Sequence, residues 1–480
     1  MALMTVPSVA THGFYLDGKW LEEGDIVEIQ APYDSAVIAR VFQGRREHAE
    51  SAITAAVKAF GTTRRLPAFE RQRVLRQIAA GIQSRKEEFS RTIAQEAGKP
   101  IKSARTEVER AIFTFNIAAE ETVRGYGEYL PLDWQQSTAG RWGIVKQFPL
   151  GPIAGITAFN FPLNLVAHKV APAIAAGCSM VLKPAPQTPL SSLLLAEVIQ
   201  QAGWPDGGFN AVLLSNEDSE LLVTDERIKL ISFTGSTEVG WAIKAKTGKK
   251  KVLLELGGNS GVIVHSDADL AYAVDRCVMG SFAHAGQTIS VQRIFVEHSV
   301  YSRFTELFIA GVNKLKVGNP LDESCDLGPM IRESDAIRAH EWVQEAIRGG
   351  ARLLCGGRRR GSMLEPTVLT STKPDMKVNC QEIFAPVVTV EPYNDFSSAL
   401  REVNNSAFGL QAGLFTRDAK LIFQAYDELD VGGLIAGDAP TFRIDHMPYG
   451  GVKDSGLGRE GLRYAIEEMT EPKLLVMNLR

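Results

Sequence analysis

At 480 residues the chain is too long for one hydrophobic core, and two or more domains sharing an interface are expected. Its 45% apolar and 22% charged content is that of an ordinary globular protein and excludes a disordered or fibrous class. A formal charge of −4 argues against a nucleic-acid partner, since no basic face is needed to account for the lysines and arginines.

The amino terminus, MALMTVPSVATHGFYLDGKW, has no cationic start followed by an apolar run. No stretch elsewhere approaches the roughly 20 apolar residues that cross a bilayer. A cytoplasmic protein with no membrane partner is expected. Its cysteines, at 178, 277, 325, 355 and 380, are scattered with no CxxC pair, which fits reduced thiols rather than a disulfide frame, and no metal site is expected.

In chain order, residues 46–125 read as helical, with Ala49, Ile53, Val57 and Phe60 on one stripe and Val74, Ile78 and Ile82 on a second. Gly98, Lys99 and Pro100 end that second run, and a third helix is predicted over Ser103 to Arg124. Gly127 to Gln147 changes character around a polar turn and reads as a hairpin, of the kind that often reaches another subunit. From Pro152 the pattern alternates between short apolar strands (PIAGIT, SMVLK, FNAVLL, IKLISF, KVLLEL) and helices. That alternation predicts a parallel sheet buried on both faces. A second α/β half follows Glu255, through GVIVHS, VQRIFVE, PVVTVEPY and LQAGLFT. Gly356 to Gly361 and Tyr449 to Gly461 read as loops, and Leu474 to Asn478 as a final strand available to pair with the hairpin.

Ligands of such a sheet collect where strands end and helices begin. At one junction, FTGSTEVG from Phe233 to Gly240, a glycine and a helix amino terminus suit a phosphate, although ordinary capping gives the same letters. At another, Lys183 stands at a strand end before Pro184, either as a ribose or phosphate ligand or as a solvated lysine. At the third, Asn160 lies between aromatics in TAFNFP, as a helix cap or as a donor to an oxyanion. The stretch FAHAGQTISVQRIFV, Phe282 to Val296, has the setting of a reactive-thiol loop and contains no cysteine.

Taken together, AFNFP, KPAPQTP, FTGSTEVG, LELGGNS, FAHAGQ with SVQRIFV, QEIFAPV, NNSAFGLQAGLFT and MPYGGVKDSGLGREG make nearly the whole chain resemble the NAD(P)-dependent aldehyde dehydrogenase superfamily. The resemblance implies a Rossmann-like parallel-sheet cofactor domain (residues 1–126 and 148–254) and a second α/β catalytic domain (255–435). It also implies a small β oligomerisation region (127–147 and 468–480) and assembly as a homodimer or homotetramer. Carried over by motif, Asn160 is the oxyanion asparagine and Glu255 the base that activates water for thioester hydrolysis. Lys169 supports polarity and proton transfer. Thr157, Phe159, Lys183, Ser236, Leu256, Glu382 and Phe384 become cofactor contacts to NAD or NADP.

Two departures matter. Pro186 stands where many NAD-selective members carry a glutamate, which removes a carboxylate that would repel a 2′-phosphate, so NADP is expected to be tolerated. The larger departure is the nucleophile. The family pattern is Gly-Gln-x-Cys, four residues, then Arg, and GQTISVQR from Gly286 to Arg293 is one residue short. A cysteine between Thr288 and Ile289 restores it. Either that cysteine has been deleted, or a modified cysteine stands there unwritten in the string. The second is favoured, because reactive thiols are readily oxidised or alkylated and a deletion is expected to turn the buried face of VQRIFVE outward. Cys277 reads as core rather than as a substitute.

Arg110 and Arg443 are candidates to bind an anionic substrate tail, with a surface salt bridge as the alternative. The expected reaction is oxidation of a small, polar or anionic aldehyde (lactaldehyde, succinate semialdehyde, glyceraldehyde 3-phosphate or phosphonoacetaldehyde) to the acid, through a cysteine thiohemiacetal and thioester. The competing expectation is a protein that kept the fold and binds cofactor without turnover.

Overall fold

A computed structural model describes residues 9–125 and 127–478. The extreme amino terminus, the boundary at residue 126 and the last two residues of the expected oligomerisation region lie outside the described residues. Three sheets organise the chain. The first has eight strands, of which five are parallel: Lys251–Glu255, Leu230–Thr234, Ile153–Ile156, Met180–Lys183 and Phe209–Ala211. From Ile153–Ile156 the chain first builds outward through Met180–Lys183, then returns to place Leu230–Thr234 on the other side. The switch in direction opens a crevice at the carboxyl ends of Ile153–Ile156 and Leu230–Thr234.

Every residue of Ile153–Ile156, Met180–Lys183 and Leu230–Thr234 is buried, as expected for a sheet covered on both faces. The helix Asn164–Ala176 is buried all round. It has no side-chain cap of its own. Instead Glu107, from the neighbouring helix Ile101–Val123, accepts hydrogen bonds from Leu163 N and Asn164 N at 3.0 and 3.1 Å, which satisfies two amides of that helix start.

The second sheet has seven strands, with Val291–Glu297 between Ser260–Val264 and Val387–Tyr393, all parallel. A third, antiparallel sheet pairs Gly127–Pro131 with Arg141–Pro149 and Arg141–Pro149 with Thr470–Asn478. The predicted hairpin therefore meets the predicted last strand, whose Leu474, Leu475 and Val476 are exposed. No helix among the described residues is long and apolar enough to cross a membrane.

Several expectations need correction. Val57 is exposed, because the first helix, Arg46–Thr63, buries a stripe of small residues instead: Ala49, Ala52, Ile53, Ala56 and Ala59. The second helical run is two helices, Ala68–Ser84 and Lys86–Ala97. Short strands before residue 45, among them Phe14–Leu16 and Lys19–Leu21 on the edge of the first sheet, were too brief to show a period. Part of the loop Tyr449 to Gly461 is strand: Gly456–Leu457 pairs with Leu254 and Glu255. Gly456 has φ of 154°, and a Cβ there would lie 2.2 Å from Leu254 O, so the pairing requires glycine.

The expectation for VQRIFVE also fails. With Thr288 joined directly to Ile289, residues 291–296 are all buried, and Arg293 to Val296 pair in register with Gly261 to Val264. The pairing with Ser260–Val264 shifts between Ser260 and Gly261, where Gln292 is the extra residue on the Val291–Glu297 side. A central strand covered on both faces has no solvent face to turn outward, so this argument against a deletion falls.

Candidate active site

The elements above bring Asn160, Glu255 and the loop residues Gln287, Thr288 and Ile289 to the walls of one small cavity, together with Arg110, Phe161, Asn164, Arg443 and Tyr449. Its volume is about 30 Å³, small for a substrate site. Asn160 is buried, and its Nδ2 donates to Gly286 O at 3.1 Å while Oδ1 has no partner. Its amide does not cap the following helix, because Glu107 holds those N–H groups. A capping role for Asn160 is thus excluded.

Glu107 is itself anchored by Lys99, whose Nζ lies 2.5 Å from Oε2 and 3.5 Å from the centre of the Phe161 ring. Both side chains of the pair are fully buried. The turn that carries Asn160 therefore rests on an ion pair that the sequence showed only as a helix-ending GKP.

Glu255 ends its strand 6% exposed, with Oε2 unpartnered. Burial raises its carboxyl above the usual range, the nearby Glu460 adds to the shift, and Arg443 and Lys169 oppose it. Glu460 goes the other way: burial works to raise it, but Lys169 and Arg443 outweigh burial and hold it at about 2. Lys169 Nζ donates to Thr234 Oγ1 at 2.8 Å and Ser232 Oγ at 3.1 Å, with Glu460 Oε1 at 3.5 Å. Two carboxylates in one pocket are thus pushed apart, one towards proton acceptance and one kept as an anion. Glu460 was quoted in the sequence only as part of SGLGREG, and its acidity needs the fold to be seen.

The predicted anion ligands are not surface pairs. The Arg443 side chain is 6% exposed, donates from Nη2 to Glu460 Oε2 at 2.8 Å, and lies over the Tyr449 ring at 3.6 Å. Arg110 grips Asp445 with Nη2 and Nε at 2.6 and 3.3 Å. Asp445 also accepts from Asn164 Nδ2 at 3.2 Å and lies 2.8 Å from His168 Nε2.

On the other side of the loop, Phe384 takes φ of 49° and its ring presses on Gly286, where a Cβ would lie 2.9 Å away. Phe159 meets that ring edge-on at 5.9 Å. Glu382 Oε1 accepts from Gly258 N at 2.9 Å, and burial lifts its carboxyl to about 7 against that hydrogen bond. Lys183 bonds Asn216 Oδ1 at 3.3 Å, and burial brings its ammonium down to about 8. Ser236 begins the helix Thr237–Lys246 without spending its hydroxyl on a cap. Gly240 packs against Leu256 so closely that a Cβ would lie 2.2 Å from Cδ2. Thr157, just after the strand Ile153–Ile156, is buried.

A partly buried lysine, an uncapped helix amino terminus and a carboxylate beside a strained aromatic, all along one crevice, fit a nicotinamide dinucleotide. The nucleophile position is different. Thr288 is followed by Ile289, whose side chain is buried against Leu410 and Tyr449. Cys277 is fully buried and its thiol is pushed far up by burial, so it remains core.

A crevice for a dinucleotide joined to a buried carboxylate and an amide donor defines a class of hydride-transfer protein. The chain belongs to the aldehyde dehydrogenase family, whose model matches residues 20–475. A 3-sulfolactaldehyde dehydrogenase of Priestia megaterium is 43% identical over 479 residues, 99% of this chain and 100% of that one. The crystal structure of aldehyde dehydrogenase 21 from Physcomitrella patens, in complex with the reaction product succinate, superposes with a TM-score of 0.97 at 45% identity, covering 98% and 99% of the two chains. Glyceraldehyde-3-phosphate dehydrogenase GapN from Methanocaldococcus jannaschii, complexed with NADP, gives 0.92 at 39% identity over 95% and 100%.

Proposed function

We propose that this site binds NAD or NADP and a small, polar or anionic aldehyde, and that it oxidises the aldehyde to the acid through a cysteine standing between Thr288 and Ile289. The observation that carries the reading is the convergence of Asn160, Glu255 and the loop residues Gln287, Thr288 and Ile289 on one cavity. A thiol on that loop attacks the carbonyl, and Asn160 Nδ2, now on Gly286 O, turns to the oxyanion of the thiohemiacetal. Bound NAD or NADP supplies the hydride acceptor. Glu255, raised towards neutrality by burial, then takes a proton from the water that hydrolyses the thioester, and Lys169 and Glu460 set the polarity behind it.

Arg110 and Arg443 line the same cavity and supply the positive charge for an anionic tail. Relatives named for 3-sulfolactaldehyde and lactaldehyde, and the moss enzyme held with succinate, support that substrate class. Exposed Leu474, Leu475 and Val476 on an edge strand support assembly with further copies.

A second reading, cofactor binding without turnover, is favoured by the direct Thr288–Ile289 junction. Intact mass together with aldehyde turnover separates the two. A mass heavier than the 480-residue string by a cysteine, with or without an adduct, and NAD(P)H formation support the first. A mass equal to the string, with cofactor bound and no turnover, supports the second.

A further inference from the structure

We propose that Arg443 is shared between Glu255 and the anionic end of the ligand, so that a bound anion draws the guanidinium off Glu255 and leaves that carboxylate free to take a proton. This rests on the reading of the site as one for anionic aldehydes. Arg443 has one committed arm, the 2.8 Å bond from Nη2 to Glu460 Oε2. Its Nη1 stands 3.8 Å from Glu255 Oε1, too long for a hydrogen bond but within ion-pair reach. Nε is buried with no partner, and so is Oε2 of Glu255. The Tyr449 ring lies below the guanidinium, 3.6 Å from its centre, and supports it without taking up an N–H group.

The other groups facing Glu255 do not offer this freedom. Lys169 is tied to Thr234 and Ser232. Glu460 stays an anion, Glu382 approaches from the cofactor side with like charge, and burial keeps the Tyr449 hydroxyl protonated. Behind Arg443, Asp445 is occupied by Arg110, with His168 and Asn164 beside it. The uncommitted edge of Arg443 lines the cavity and is the part an entering anion attracts. Once Arg443 turns, Glu255 loses its nearest mobile cation and gains a nearby negative charge. Both changes favour its protonated form. A neutral aldehyde of the same length leaves Arg443 in place, so discrimination falls on proton transfer by Glu255 as well as on binding.

The test needs no thiol and no turnover. Succinate, a short dicarboxylate, is titrated calorimetrically into the full chain at about pH 7 to 8 in two buffers of different ionisation heat, which gives the protons exchanged on binding. We expect net uptake, up to one proton per site, that disappears in Glu255→Gln while succinate still binds. Binding without uptake, or uptake unchanged in Glu255→Gln, overturns the coupling and leaves the anionic-substrate reading standing. Failure of succinate to bind at all removes that reading and the coupling with it.

Discussion

Lys99→Met tests the support beneath the Asn160 turn. Lys99 and Glu107 are 1% and 0% exposed in their side chains, with N and O 2.5 Å apart. Removing the ammonium strands a carboxylate in the interior, which costs about 3–5 kcal/mol. Loss of a desolvated cation from the Phe161 ring, 3.5 Å away, adds up to about 2 kcal/mol. Two things work in the opposite direction. Glu107 keeps its bonds from Leu163 N and Asn164 N, and methionine carries none of the desolvation that lowers the Lys99 pKa. The net expectation is a loss of about 3–4 kcal/mol, read from the first transition in urea, because a chain of this size does not unfold in two states. Adding Glu107→Gln should restore at least half of the loss. A single variant that loses less than about 1 kcal/mol, or a double variant no better than the single, refutes the assignment.

Glu382, raised to about 7 by burial, should accept from the cofactor ribose only as a carboxylate. Affinity for NAD(P)H, followed by fluorescence, is then expected to strengthen as pH rises through that value and to lose this dependence in Glu382→Gln; an unchanged slope counts against the contact. Pro186→Glu is expected to weaken NADP relative to NAD by roughly tenfold, about 1.4 kcal/mol of repulsion, in competitive titrations, and an unaltered ratio would remove Pro186 from the account. Arg443→Ala should abolish any preference for charged over neutral aldehydes of matched length, measured as relative turnover; a preference that survives assigns the anion to another residue.

The parts of the site that were legible in the sequence are those that sit at strand ends. Asn160, Glu255, Lys183 and Ser236 follow short apolar runs, and strand ends are where an α/β sheet gathers ligands. The parallel strands were equally plain, since burial on both faces leaves an unbroken apolar string. What stayed hidden depends on distance in space. Lys99 looked like part of a helix stop, and its partner Glu107 like one charge among several on an amphipathic helix. Arg443 and Glu460 are 17 residues apart in a glycine-rich passage without any period. VQRIFVE was expected to have a buried face that a deletion turns outward, whereas the strand lies in mid-sheet and residues 291–296 are all buried.

In protein whose intact mass matches the 480-residue sequence, inserting a cysteine between Thr288 and Ile289 and following NAD(P)H formation from a short anionic aldehyde tests the central claim most directly. If the site lacks nothing but the thiol, the insertion should bring turnover up from background, and serine inserted at the same place should not. A cysteine-inserted protein of correct mass that is folded and binds cofactor, yet forms no NAD(P)H, would contradict the account.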